Sequence, residues 1–138
     1  MDLPPPEAKA AEPPLPRLRV LVVDNDPAVL RAMQDLLAGW NADVHAAQTP
    51  ADACLLHATH GADLLLLDYH LDDNVSGLEL RAALGPVAAS IPCVIITADH
   101  GKAVADAVAA AGCQLLHKPL KPLALRSLIA QLIARNTR

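Results

Sequence analysis

The sequence predicts an α/β fold built on a parallel sheet, and three observations carry that reading. Short apolar runs recur along the chain (Val20–Val23, Leu64–Leu67, Cys93–Ile96 and Leu115–Leu116) at the length of strands buried on both faces. Segments with apolar residues at helical spacing alternate with them, the pattern of successive βα units. Each run also leads at once into residues that carry chemistry: Asp24-Asn25-Asp26, Asp68, Thr97 and His117-Lys118. In a parallel sheet those residues arrive together at the carboxyl edge, where open α/β folds place their sites.

Taken in order, Leu18–Val23 is the first strand, and Asp26 caps a helix that begins with Pro27, a favoured first residue. Leu30, Met33, Leu36, Leu37 and Trp40 continue that helix, and Gly39 is expected to close it. A short strand over Asp43–Ala46 follows, then a helix opened by Thr49-Pro50 and ended near Gly61. The run Asp63–Leu67 is the most apolar strand and delivers Asp68. A polar loop from Tyr69 to Ser76 leads to Gly77 and a helix carrying Leu78, Leu80, Ala83 and Leu84, with Pro86 near its end. Pro92 precedes the strand Cys93–Thr97, and an Ala-rich helix from Lys102 to Ala111 is stopped by Gly112. The last strand ends at Lys118, and Pro122 opens a helix with Leu125, Leu128, Ile129, Leu132 and Ile133 on one side. These are five βα units, expected to fill residues 17–135 as one domain of 138-residue chain length. Six prolines within residues 2–16 forbid helix and ladder alike, so residues 1–16 read as a disordered lead-in or linker.

Composition narrows the function. Aromatic residues are 1% of the chain, too few for base-stacking platforms. The net charge is −4, and Arg126, Arg135 and Arg138 are spread out, so nucleic acid is not an expected partner. No apolar run reaches membrane-spanning length and no signal segment follows Met1, so a cytoplasmic protein without membrane contact is expected. Cys54, Cys93 and Cys113 form no CxxC pair and read as buried structural thiols. His57 and His60 could share a helix face, but no further ligand at metal spacing accompanies them. No P-loop or GxGxxG offers a phosphate cradle.

With these residues in place, the chain resembles the receiver domain of two-component response regulators, of the type found at the C-terminus of hybrid sensor histidine kinases. The resemblance spans about residues 17–135 and rests on four separate motifs: Val22-Val23-Asp24-Asn25-Asp26, Leu67-Asp68, Thr97-Ala98 and Lys118-Pro119. It implies a flavodoxin-like fold, a five-stranded parallel sheet in the order 2-1-3-4-5 flanked by five helices. It implies that Asp68 accepts a phosphoryl group from a phosphohistidine of a histidine kinase or phosphotransfer protein. It implies Mg²⁺ as cofactor, held by Asp24, Asn25, Asp68 and the backbone carbonyl of His70. Thr97 would bond an arriving phosphoryl oxygen and Lys118 would balance its charge. The Lys118–Pro119 peptide would be cis.

Departures from the family pattern bear on mechanism. Asn25 stands where the family usually has a second acid; a unit charge lost about 4 Å from a divalent ion forfeits up to about 4 kcal/mol per opposing charge at an effective dielectric near 20. Weakened Mg²⁺ binding is expected, with Asp26 either a plain helix cap or a neighbour of the metal. The acidic loop Asp72-Asp73-Asn74 replaces Met-Pro, His70 lies at the site rim, and Asp99 sits where side chains modulate hydrolysis. Leu115 occupies the position of the aromatic switch, which favours phosphoryl shuttling over driving an attached effector. A pseudo-receiver that binds partners without phosphorylation is the alternative. A small phosphohydrolase ranks last, because His70 stands where its second Asp is needed. Oligomeric state, cognate kinase, stimulus and phosphoryl lifetime are left open by the residues, as is enzymatic status beyond self-catalysed phosphorylation and dephosphorylation.

Overall fold

The computed structural model describes residues 15–136; the proline-rich lead-in lies almost wholly outside them. Five strands, β1 (Arg19–Val23), β2 (Asp43–Ala47), β3 (Leu64–Asp68), β4 (Cys93–Thr97) and β5 (Gln114–His117), form one sheet. All four pairings are parallel and the order is β2-β1-β3-β4-β5, as the resemblance implies. The helices are α1 (Pro27–Gly39), α2 (Pro50–His60), α3 (Gly77–Ala83), α4 (Pro86–Ala89), α5 (Lys102–Ala110) and α6 (Pro122–Asn136). A 3₁₀ turn, Asp72–Asn74, lies between β3 and α3.

One expectation needs correction. The region between β3 and β4 holds two helices and not one. Leu84 caps α3, Gly85 takes a left-handed φ of 98°, and Pro86 starts α4 as its first residue. Six helices therefore flank the sheet where five were predicted. α1 ends on Gly39, as the sequence predicts, and the left-handed residue beyond it is Asn41, at φ 68°. Asn is the other common occupant of that conformation.

The sheet separates two cores. One face carries Leu21, Val23, Leu65, Leu67 and Ile95 against Ala53 of α2, Leu80 of α3, Ala88 of α4 and Val104 and Val108 of α5. The opposite face carries Val20, Val22, Leu64, Leu66, Val94 and Ile96 against Leu30, Met33 and Leu37 of α1 and Leu125, Ile129 and Leu132 of α6. Every residue of β3 is buried, at about 1.5–3 kcal/mol for each fully buried Leu. That burial leaves β3 no freedom of register, because a one-residue slip would exchange its two faces. Asp68 is thereby held at the carboxyl edge.

The opposite edge is tied by polar contacts. Arg19 wraps Asp63 through Nη2 at 2.9 Å, Nε at 3.2 Å and its backbone N–H at 2.8 Å, and donates through Nη1 to the His60 carbonyl at 2.8 Å. Hydrogen bonding from the Arg19 side chain holds the Asp63 carboxyl below its ordinary range. A carboxyl lowered on folding adds stability above its unfolded pKa of about 4 and loses it as pH falls through the lower folded value. Asp63→Ala should therefore lower Tm at pH 7, and the deficit should shrink as pH falls below the unfolded carboxyl value toward pH 2. Thermal melts at the two pH values check this, and an equal deficit at both would remove the ion pair as the cause.

Candidate functional site

The register brings the predicted residues to one place. Val23 lies beside Leu67, so the next residues, Asp24 and Asp68, emerge side by side from β1 and β3. Both are nearly fully buried, at 2% and 5% exposure. Between them stands Lys118, directly after β5, with Nζ 3.1 Å from Asp24 Oδ2 and 3.3 Å from Asp68 Oδ1. The Lys118–Pro119 peptide is cis, as the resemblance implies. Asp24 Oδ1 accepts from the Asp26 N–H at 2.9 Å, which closes the turn into α1.

Two carboxylates share one ammonium, so the cluster carries a net negative charge out of water. Burial, followed by the charge of Asp24, pushes the Asp68 carboxyl above its ordinary range, and Lys118 only partly opposes this. For Lys118 itself burial is the largest single influence and lowers the ammonium, but hydrogen bonds and charges of Asp24 and Asp68 together outweigh it and hold the group above its usual value. An acidic site with a residual negative charge and hard oxygen donors suits a small divalent cation.

The donor set is narrow. Among the described residues no three His, Cys, Asp or Glu side chains are placed to hold a metal together. A cation at Asp24 and Asp68 therefore needs amide and backbone oxygens as well. Asn25 is exposed, and its Nδ2 donates to Asp72 Oδ1 of the 3₁₀ turn at 3.1 Å. That contact uses the amide nitrogen and leaves the Asn25 oxygen without an assigned partner. Asp26 also has a settled contact: its Oδ1 accepts from the Ala28 N–H at 2.9 Å, the helix-cap role.

The remaining candidates surround this centre. Thr97 is fully buried at the end of β4, and its Oγ1 accepts from the Asp99 N–H at 3.0 Å. Its carbonyl accepts from the Lys118 N–H at 2.9 Å, which links the Thr97 and Lys118 strand ends. His70 Nε2 lies 3.9 Å from Asp99 Oδ2, so these two meet at the rim as a long, exposed contact. Leu115 pairs with Ile95 and is half-buried in the core of the other layer. His57 and His60 belong to no group of three potential metal ligands among the described residues, and the His60 ring stacks on His45 at 4.0 Å. Cys93 and Cys113 are buried, whereas Cys54 is only half-buried.

Two supports of the site escaped the sequence reading. Ser76 and Glu79 form a reciprocal capping box at the start of α3, with Glu79 N–H to Ser76 Oγ at 3.0 Å and Ser76 N–H to Glu79 Oε1 at 3.2 Å. The S-x-x-E spacing was the available signal. Gly77 then donates its N–H to the Tyr69 carbonyl at 2.8 Å, and a Cβ at that position would stand 2.5 Å from the Asp68 carbonyl oxygen. The backbone of the acceptor strand and the start of α3 approach too closely for any side chain.

A doubly wound parallel sheet with buried acids and an ammonium at its carboxyl edge defines the flavodoxin-like class of α/β proteins with a switch-edge site. Within that class, the model of the response regulator receiver domain family matches residues 20–130, and the chain belongs to that family. It is 33% identical over 109 residues to the alginate biosynthesis transcriptional regulatory protein AlgB of Pseudomonas syringae pv. tomato, covering 78% of this chain and 24% of that protein. The chain thus spans about a quarter of that relative's length. Its fold is similar to a two-component response regulator from Clostridium difficile (TM-score 0.81, 19% identity, 88% of this chain and 100% of that one). It is likewise similar to the chemotaxis protein CheY4 of Vibrio cholerae (TM-score 0.77, 18% identity, 85% and 99%). No helix among the described residues is long and apolar enough to cross a membrane.

Two substitutions probe this geometry. Gly77→Ala forces the Asp68 backbone to move and should cost about 1–3 kcal/mol, read by urea unfolding; a cost below 0.5 kcal/mol would show that the close approach is not needed. Asp68 is a carboxyl raised on folding, so its contribution is most favourable at low pH and is lost as pH rises through the folded value. At pH 7 in magnesium-free buffer, Asp68→Asn should therefore raise Tm by about 2–6 °C. A lower Tm would mean that pairing with Lys118 outweighs the burial of Asp68.

Proposed function

We propose that the chain is a phosphoryl-accepting receiver that takes its phosphoryl group on Asp68 from the phosphohistidine of a histidine kinase or phosphotransfer protein. The observation that carries this reading is the Lys118 ammonium within 3.3 Å of two buried carboxylates, one of them at the end of the most buried strand. An Asp68 carboxylate oxygen attacks phosphorus as the P–N bond of the donor breaks, which leaves an acyl phosphate on the protein, and the imidazole nitrogen keeps the P–N electron pair and takes a proton from solvent. Lys118 is already positioned to follow the new negative charge from carboxylate to phosphoryl oxygen. The Thr97 hydroxyl, fully buried and bonded only as an acceptor, retains a proton to donate to a phosphoryl oxygen.

Asp24, Asp68, the amide oxygen of Asn25 and the backbone carbonyl of His70 are the groups assigned to hold Mg²⁺. When bound, Mg²⁺ neutralises the surplus carboxylate charge and the phosphoryl oxygens. Asp26 is occupied as a helix cap and Asp99 with His70 forms the rim, where they modulate access of water. An apolar cleft of about 440 Å³ beside Lys118, lined by Val29, Met33 and Leu36 of α1 with Pro119 and Leu120, gives a partner helix a surface next to the acceptor. Leu115 has no polar tip to exchange between buried and exposed poses, which supports a shuttling role in a phosphorelay. A cytoplasmic setting, and attachment to a hybrid kinase through residues 1–16, complete the reading.

Acetyl phosphate with Mg²⁺ should give a phosphoryl adduct by intact mass, absent in Asp68→Ala and after chelation of the metal. No adduct on the wild-type chain would instead favour the phosphorylation-independent binding module, for which Asn25 turned toward Asp72 is the supporting observation. Asn25→Asp should lower the Mg²⁺ concentration for half-maximal phosphorylation about tenfold, roughly 1.4 kcal/mol. An unchanged requirement would remove Asn25 from the metal site.

A further inference from the structure

At the edge of the sheet remote from Asp68, two cysteines meet. The β4–β5 ladder pairs Val94 with Gln114, and one step further back the same register sets Cys93 beside Cys113. Ile95 and Leu115, two residues on in each strand, both pack in the layer under α2–α5, so the two thiols share that face. Both are buried in the same cluster, at 3% and 7% exposure. Parallel neighbours at this spacing fall within the Cα separation that a disulfide spans.

The surroundings are those of a reactive thiol and not an inert one. Arg81 reaches over from α3 and is anchored to the Ala111 carbonyl at 2.9 Å and the Ala89 carbonyl at 3.0 Å. Its Nε is buried without a hydrogen-bond partner. A cleft of about 180 Å³ lined by Arg81, Ser90, Pro92, Cys93 and Gly112 gives a small molecule access to the pair from the Cys93 side. Hydrogen bonding to Cys93 brings the Cys113 thiol down to about 7, and the Arg81 charge adds to this against burial. The same thiol–thiol bond, with burial, pushes Cys93 up. Two neighbouring thiols beside a guanidinium can form a sulfenic acid on one sulfur and resolve it with the other.

We propose that Cys93 and Cys113 form a peroxide-sensitive dithiol that closes to an intramolecular disulfide. One thiolate of the pair attacks one oxygen of hydrogen peroxide; the O–O bond breaks, hydroxide leaves and is protonated to water, and that cysteine becomes a sulfenic acid. The other sulfur, giving up its proton, then attacks the sulfenic sulfur; the S–O bond breaks and a second water leaves. The two thiols lose two electrons and the peroxide is reduced to two waters. This assignment is independent of phosphoryl transfer at Asp68.

Trypsin separates the three cysteines into different peptides, because Arg81 and Lys102 lie between them. After brief exposure of the native full chain to a small molar excess of hydrogen peroxide, the intact mass should fall by two hydrogens. The digest should contain a cross-linked Cys93–Cys113 peptide, Cys54 should still accept an alkylating reagent, and dithiothreitol should reverse the change. Cys54→Ser, away from the pair, should leave the reaction unaltered. Three free thiols after treatment, a bridge that includes Cys54, or over-oxidation of either Cys93 or Cys113 with no cross-link would each overturn the proposal.

Discussion

The structure turns on two carboxylates held out of water beside one ammonium. Left alone, Asp24 and Asp68 would repel each other in a medium that screens charge poorly, and one of them would take up a proton. Lys118 removes part of that repulsion, and its distances of 3.1 and 3.3 Å are nearly equal, so it belongs to both. The cost of the remaining charge is borne by the apolar strands beneath. Four Leu residues of β3, with the valines of β1, fix the carboxylates in place and prevent either from swinging into solvent. A site that is electrostatically unfavourable until a cation or phosphoryl group arrives is thus maintained by packing.

How much of this could be read from the chain follows from the kind of information each feature needs. Asp24, Asp68, Thr97 and Lys118 were legible because each terminates an apolar run, and a parallel sheet collects such positions at one edge. The sheet order came from the resemblance and agrees with the structure. Pro86 predicts the end of one helix because proline stops a helix; the same residue is also a favoured first residue, and here it starts α4. Gly77 read as a helix start, whereas its requirement is the nearness of the Asp68 carbonyl, a contact without a local sequence signal. The pairing of Asn25 with Asp72 is of the same kind, since it depends on where the loop after β3 folds back.

The loop after β3 alters the acid balance around the site. Asp72 adds a carboxylate near the entrance, but its Oδ1 accepts from Asn25, so the turn is tethered by the residue that replaces the family's second acid. An Asp at position 25 would face Asp72 as a like charge, and the turn would lose its tether. Asn25 and the acidic turn are therefore compatible with each other in a way that either would not be with the usual partner residue. The weaker cation affinity expected from Asn25 and the extra acidic turn act in opposite directions on the local charge.

Strands β4 and β5 carry chemistry at both ends. Their ladder has four rungs, from Val94–Gln114 to Thr97–His117, a span of about 10 Å at 3.3 Å per residue. Thr97 and Lys118 leave the carboxyl end of the two strands and are joined there by a backbone hydrogen bond of 2.9 Å. Cys93 and Cys113 stand at the amino end. A disulfide at that end would restrain the spacing of the two strands, and the position of Lys118 relative to Thr97 depends on that spacing. Strand β4 is buried along its whole length, whereas Gln114, Leu115 and Leu116 of β5 are half-buried and His117 is exposed. The two chemistries are distinct in mechanism and lie at opposite ends of the same pair of strands.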